Sequence, residues 1–200
     1  MQRFNAPNSF IYRKESLNMI YMFLAPGFEE VEALCPLDLL RRAGLSVTTV
    51  GVGGFQITGS HGITVCADIN DVAFAARVDH TPEMVILPGG MPGTKNLDAC
   101  ETVHKAIADA IGNDAYVCAI CAAPMILGKL GLVRGKNAVC YPGFEKYLDG
   151  ATVSDKKVVR DGKIITAKGM GAAVEFGLAI VEALKGAKTA DELAIATIAK

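Results

Sequence analysis

The sequence predicts an α/β domain built on a doubly wound, mostly parallel sheet. Three observations predict it. Short unbroken apolar runs alternate along the chain with amphipathic stretches, the order expected of a parallel sheet with helices on both faces. Two of those runs stop abruptly at turn residues, 19–25 at Pro26-Gly27 and 84–87 at Pro88-Gly89-Gly90. The chain has 200 residues, 51% of them apolar, which suits one buried core of ordinary size.

The elements follow in order. Residues 19–25 (MIYMFLA) read as a central strand buried on both faces. FEEVEALCPLDLLRRAG reads as a helix, with acids in its first turn, Arg41-Arg42 in its last and Gly44 after its end. Residues 45–52 form a second strand, 51–62 a turn-rich stretch, 63–66 a short strand and 71–76 a brief helix. Residues 84–87 form a strand and 97–111 a helix stopped by Gly112-Asn113-Asp114. Residues 116–120 form a strand that runs straight into Cys121 and a helix over 123–130. A short strand over 139–141, a helical turn over 144–148 and a hairpin over 157–166 come next. The hairpin is expected to turn at Asp161-Gly162. Helices over 172–184 and 190–199 close the chain. Residues 1–18 are polar, of mixed charge and without an apolar stretch, so they read as an appendage ahead of the fold, with Met19 as an alternative start. The domain proper is expected over 19–200, with no repeat, linker or low-complexity stretch inside it.

Composition excludes several classes. Twenty basic residues against twenty-one acidic ones leave a net charge of −1, with no excess to neutralise phosphates. Trp is absent and aromatics are sparse, so a stacking platform for single strands is excluded too. No apolar run reaches the roughly 18–20 residues of a membrane span. Neither nucleic acid nor membrane is therefore an expected partner. The six cysteines sit mostly inside apolar runs of a chain large enough to fold without staples, which points to reduced thiols and a cytoplasmic location.

In a doubly wound sheet the ligand lies at the carboxyl ends of the strands. Three segments there carry chemistry. AICAAP puts Cys121 at a strand-to-helix joint among small residues, the layout of a nucleophile elbow, where a helix N-terminus favours thiolate. The same layout suits a packing cysteine at a strand end, and the local pattern leaves both open. LPGG offers the backbone N–H groups of Gly89 and Gly90 to an oxyanion or carboxylate, or is an ordinary strand exit. GFEEVEA crowds three acids into one helix start. Glu29 and Glu30 read as compensation of the helix dipole, and Glu32 as the one facing inward. Cys118 makes a C-x-x-C with Cys121 but falls inside the strand, which argues against a redox dithiol. His61, His80 and His104 do not follow Cys121, so a Cys-His hydrolase lacks its base, and His80 and His104 are expected to face solvent. No residues have metal-ligand spacing, and no phosphate loop follows the first strand.

The runs APGFEEVEA, DLLRRAGLSVT, VILPGG, AICAAP and EFGLAIVEAL, in this order and spacing, resemble the ThiJ/PfpI superfamily in its DJ-1 branch. The resemblance implies a flavodoxin-like sandwich of the class I glutamine amidotransferase type, usually a homodimer. It implies a reactive cysteine, Cys121, hydrogen-bonded to a protonated glutamate, Glu32. The oxyanion site would be the backbone of Gly89, Gly90 and Ala122. Ala122 stands where protease-like relatives have a histidine, which fits the DJ-1 branch. Tyr141 and His61 stand where branch members place a pocket histidine and arginine, and Met170 replaces the usual proline of a G-P-G. Arg42 matches an arginine that reaches the partner's pocket in family dimers, and Cys66 an interface cysteine. The activity implied is a glyoxalase or deglycase that acts on small reactive 2-oxoaldehydes without cofactor or metal. The alternative is a redox-sensing or chaperone-like stress protein that oxidises Cys121 without turnover.

Overall fold

A computed structural model describes residues 19–77 and 81–200. The expected appendage, 1–18, and His80 lie outside them. In chain order the strands are β1 (Ile20–Leu24), β2 (Val47–Gly51), β3 (Gln56–Thr58), β4 (Thr64–Cys66), β5 (Ile69–Asn70), β6 (Met84–Leu87), β7 (Tyr116–Ile120), β8 (Asn137–Ala138), β9 (Thr152–Val153), β10 (Val158–Asp161) and β11 (Ile164–Ala167). The helices are α1 (Glu30–Arg42), α2 (Asp71–Ala75), α3 (Gly93–Asp98), α4 (Glu101–Gly112), α5 (Pro124–Lys129), α6 (Ala173–Lys185) and α7 (Ala187–Ala196), with 3-10 turns at Glu145–Tyr147 and Met170–Ala172.

The apolar runs occupy the middle of one sheet of order β10-β11-β7-β6-β1-β2-β5. β1, β6 and β7 are buried at every residue, because helices cover both faces. Every pairing in this sheet is parallel except β10 with β11, the doubly wound arrangement expected. Alternation along β1 divides the core in two. Tyr21 and Phe23 pack on one face with Val103 and Ile107 of α4 and Ile126 of α5. Ile20, Met22 and Leu24 pack on the other with Leu37 and Leu40 of α1 and Phe176 and Ile180 of α6.

Four local expectations are corrected. The single helix over 97–111 is two helices, α3 and α4, separated at an extended Cys100. Leu97 and Val103 lie six residues apart, which on one continuous helix would point them about 120° apart; the break lets both enter the same core cluster. The turn-rich stretch contains β3, which pairs antiparallel with β4 from Gln56↔Cys66 to Thr58↔Thr64. The strand over 139–141 is displaced to β8. Val139 instead donates its N–H to Thr166 Oγ1 at 2.9 Å, and Tyr141 to the Cys121 carbonyl at 2.8 Å. The β10–β11 register pairs Asp161 with Ile164, so the turn residues are Gly162-Lys163, with Gly162 at φ 61°. A positive φ at the first central position is what glycine supplies in a type II′ hairpin.

Candidate active site

Four strand ends converge on one pocket. β7 ends at Cys121, whose φ of 65° is left-handed, a conformation that costs a non-glycine residue roughly 1–3 kcal/mol. Two backbone hydrogen bonds hold it there. Cys121 donates its N–H to Ala167 at the end of β11 at 2.9 Å, and its carbonyl accepts from Tyr141 at 2.8 Å. The strained turn lifts the thiol out of the sheet into a cavity of about 590 Å³ lined by Glu29, Glu32, His61, Tyr141, Lys157, Lys168 and residues 169–172.

β1 delivers the acids through α1. Glu29 caps the helix, its Oε2 accepting from the Glu32 N–H at 2.7 Å. Glu32, one helical turn on, is 1% exposed and hydrogen-bonds the Cys121 thiol. Two residues past the end of β6, Gly89 donates its N–H to Glu32 Oε2 at 3.0 Å. A side chain there is forbidden: a Cβ on Gly89 would lie 2.6 Å from both Cys121 Cβ and Glu32 Oε2. The acid and the thiol therefore meet across the one residue with no side chain to part them.

Burial lifts the Glu32 carboxyl to about 7 against the opposing pull of its Cys121 hydrogen bond, and the charge of Glu29 lifts it further. Burial also pushes the Cys121 thiol up to about 12, and the charge and hydrogen bond of Glu32 push the same way. The N–H groups of Gly90 and Ala122 turn toward the sulfur and oppose that rise. The expectation that a helix dipole frees the thiolate is thus corrected. α5 has only six residues and begins three positions later, while burial and a neighbouring acid dominate. The pair shares its protons, and the first to leave departs near neutral pH.

The Gly89 N–H is committed to Glu32, so the donors that face the sulfur are those of Gly90 and Ala122. Glu30, read as dipole compensation, is 3% exposed and enclosed by the β3–β4 loop. It accepts from His61 N at 2.8 Å, His61 Nδ1 at 3.0 Å, Ile63 N at 3.3 Å and Ser60 Oγ at 3.4 Å. Burial opposes its charge, but the His61 and backbone hydrogen bonds prevail and hold it at about 2. Glu29, Glu30 and His61 bring ligand atoms within 4.8 Å of one another, a grouping hidden by their separation in sequence. Hydrogen bonds already engage Glu29 and Glu30. His104, expected in solvent, is half-buried, with Nε2 shielded and 3.7 Å from Asp98.

A profile of the DJ-1/PfpI family matches residues 18–183. The chain belongs to the DJ-1/PfpI family. It is 36% identical over 176 residues to the protein dj-1beta of Drosophila melanogaster, covering 86% of this chain and 92% of that one. It is 34% identical over 185 residues to the Parkinson disease protein 7 homolog of Danio rerio, covering 90% and 96%. A relative named glutathione-independent glyoxalase DJR-1.2, from Caenorhabditis elegans, is 31% identical over 166 residues and covers 82% and 87%. The crystal structure of Drosophila melanogaster DJ-1beta superposes with a TM-score of 0.84 at 34% identity, covering 90% and 97%. The oxidized DJ-1 of Toxoplasma gondii gives 0.85 at 28%, covering 90% and 97%.

Within this family frame the pocket gathers Cys121, Glu32, Tyr141 and His61, with Gly89, Gly90 and Ala122 beneath the sulfur. Arg42 stands apart. It pairs with Asp38 at 2.6 Å and lines a second cleft of about 700 Å³ with Cys35, Glu175 and Ile198. Sequence reasoning missed Lys157 and Lys168. The carboxyl-end rule applied to β11 would have found Lys168, the residue that follows it.

Proposed function

We propose that this protein is a cofactor-independent enzyme of carbonyl-stress defence that converts small reactive 2-oxoaldehydes to hydroxyacids, with related activity on their early adducts. The contact between Cys121 and a buried Glu32 that titrates near neutrality is the observation that carries this reading. The Cys121 sulfur attacks the aldehyde carbon. The carbonyl oxygen takes up a proton, and a hemithioacetal forms. The N–H groups of Gly90 and Ala122 steady that oxygen as it gains charge. Glu32 as carboxylate removes the proton from the former aldehyde carbon and returns it to the neighbouring ketone carbon, while the hemithioacetal hydroxyl proton passes to the former ketone oxygen. That internal redox step leaves a thioester, and water hydrolyses it to the hydroxyacid and free thiol. Tyr141 and His61 orient the substrate from the pocket wall. The name of the Caenorhabditis elegans relative supports the activity.

The active form we propose is a cytoplasmic homodimer, with Arg42 directed to the partner. Exposed Val31 and Val174 on α1 and α6, and six unpaired thiols, support both points. Turnover of methylglyoxal tests the reading: wild type converts it to lactate and Cys121→Ala does not. Full turnover by Cys121→Ala overturns it. A second reading, a peroxide sensor, is favoured by the partial exposure of Cys121 and the two N–H groups facing its sulfur, which would hold sulfinate oxygens. Selective gain of two oxygens at Cys121 without aldehyde turnover would select it.

A further inference from the structure

Most of the charges around the Cys121 pocket are engaged in ion pairs or hydrogen bonds. Glu29 caps its own helix and lies 4.0 Å from His61 Nδ1. Glu30 and His61 form an ion pair at 3.0 Å. Glu32 holds its proton up to neutral pH and faces the thiol. Lys157 is paired with Glu175 on α6. Lys168 is the exception: it lines the same cavity, half-buried, and forms no ion pair among the described residues. Hydrogen bonds fasten its backbone. It follows β11 directly, its N–H bonds the Lys157 carbonyl at 2.9 Å, and the preceding Ala167 accepts from Cys121. The backbone thus fixes Lys168 in the wall of the cavity that holds the thiol.

A cation with no ion-pair partner among the described residues, in a partly enclosed pocket, attracts an anionic ligand group, and the low-dielectric walls strengthen that attraction. We propose that this pocket selects carbonyl compounds that carry a second, anionic group, a carboxylate or a phosphate, and that Lys168 is the residue that selects them. The proposal rests on Cys121 as the nucleophile of the preceding section and adds the substrate class. The aldehyde faces the sulfur while the anionic end faces Lys168. Lys157 contributes less, because Glu175 already holds its charge.

Alkylation tests this without requiring turnover. Iodoacetate and iodoacetamide have nearly the same shape and differ in charge. Their rates at Cys121, read peptide by peptide by mass spectrometry, give a ratio in which a general change in thiol reactivity cancels. Lys168→Met keeps the aliphatic stem and removes the charge. It should lower the iodoacetate-to-iodoacetamide ratio about 3- to 5-fold, and Lys168→Arg should restore it. The difference should fade near 1 M salt. An unchanged ratio in Lys168→Met overturns the proposal.

Turnover then separates the two anions. Phenylglyoxal is compared with 4-carboxyphenylglyoxal, and methylglyoxal with a phosphate-bearing 2-oxoaldehyde. A lower KM for either anionic member, lost in Lys168→Met, supports the proposal and names the group. Equal KM values throughout overturn it. If no substrate turns over but the alkylation ratio still falls, the enzymatic reading fails while anion selection by Lys168 stands.

Discussion

Glu30 and Glu32 lie two residues apart in the first turn of α1, and both are buried, at 3% and 1% exposure. Their protonation is opposite. Glu30 is held at about 2, Glu32 at about 7. Burial disfavours charge on both, and more strongly on the deeper Glu32. Donors widen the gap. Glu30 faces the β3–β4 loop, which supplies two backbone N–H groups, a hydroxyl and an imidazole. Glu32 faces a thiol, with backbone N–H groups from Gly89 and Met170 and with the charge of Glu29 nearby. A helix presents residues two apart to different sides, so one turn can build a structural anion and a proton store. The first fastens the hairpin to the helix. The second serves the sulfur.

Amide replacement should break this contrast most strongly in activity. Glu32→Gln should lower methylglyoxal turnover by roughly 10²–10⁴-fold, the range for loss of a positioned acid–base group. Glu30→Gln should leave a far larger share, measured on folded protein at the same pH. Stability should show the reverse order. Glu30→Gln places a poorer acceptor against its N–H donors and should cost about 2–4 kcal/mol in urea unfolding at pH 7. Glu32→Gln should cost less, because the native carboxyl is half-protonated there.

The pH dependence sharpens the same point. Glu32 is raised above its ordinary value of 4.5, so its contribution to stability is full below 4.5 and is lost as pH rises toward 7, about 3 kcal/mol in all. Glu30 is lowered, so its contribution is present above 4.5 and is lost as pH falls toward 2. Urea midpoints from pH 3 to 8 for wild type and both amides should show each variant losing one of these slopes. The smallest effect belongs to His61. His61→Ala removes one of the donors to Glu30 but keeps the backbone N–H groups. The acid limb of the stability profile should shrink in His61→Ala, by less than in Glu30→Gln, where it disappears.

Much of this was legible in the chain. β6 and β7 match their apolar runs residue for residue, because strands buried on both faces need continuous apolar sequence. The elbow at Cys121 was readable from its small neighbours. β3 was not, since its exposed-buried-exposed pattern is three residues long and flanked by glycines. The role of Glu30 was hidden because its partners lie about thirty residues away on that hairpin. The shift of Cys121 was misjudged for a related reason. A helix terminus can be read locally, but the acid that opposes it arrives on another helix, α1. Lys168 carries no local signal, and only the pairing of β11 with β7 brings it to the pocket.

The central claim is that Cys121 and Glu32 titrate as one unit, and the rate of Cys121 alkylation by iodoacetamide against pH tests it most directly. The account predicts a wild-type profile that rises through a step near pH 7, as the first proton leaves the pair. In Glu32→Gln that step should vanish, leaving a single rise at alkaline pH set by burial of the thiol. A wild-type profile with one alkaline step, unchanged by Glu32→Gln, would contradict it.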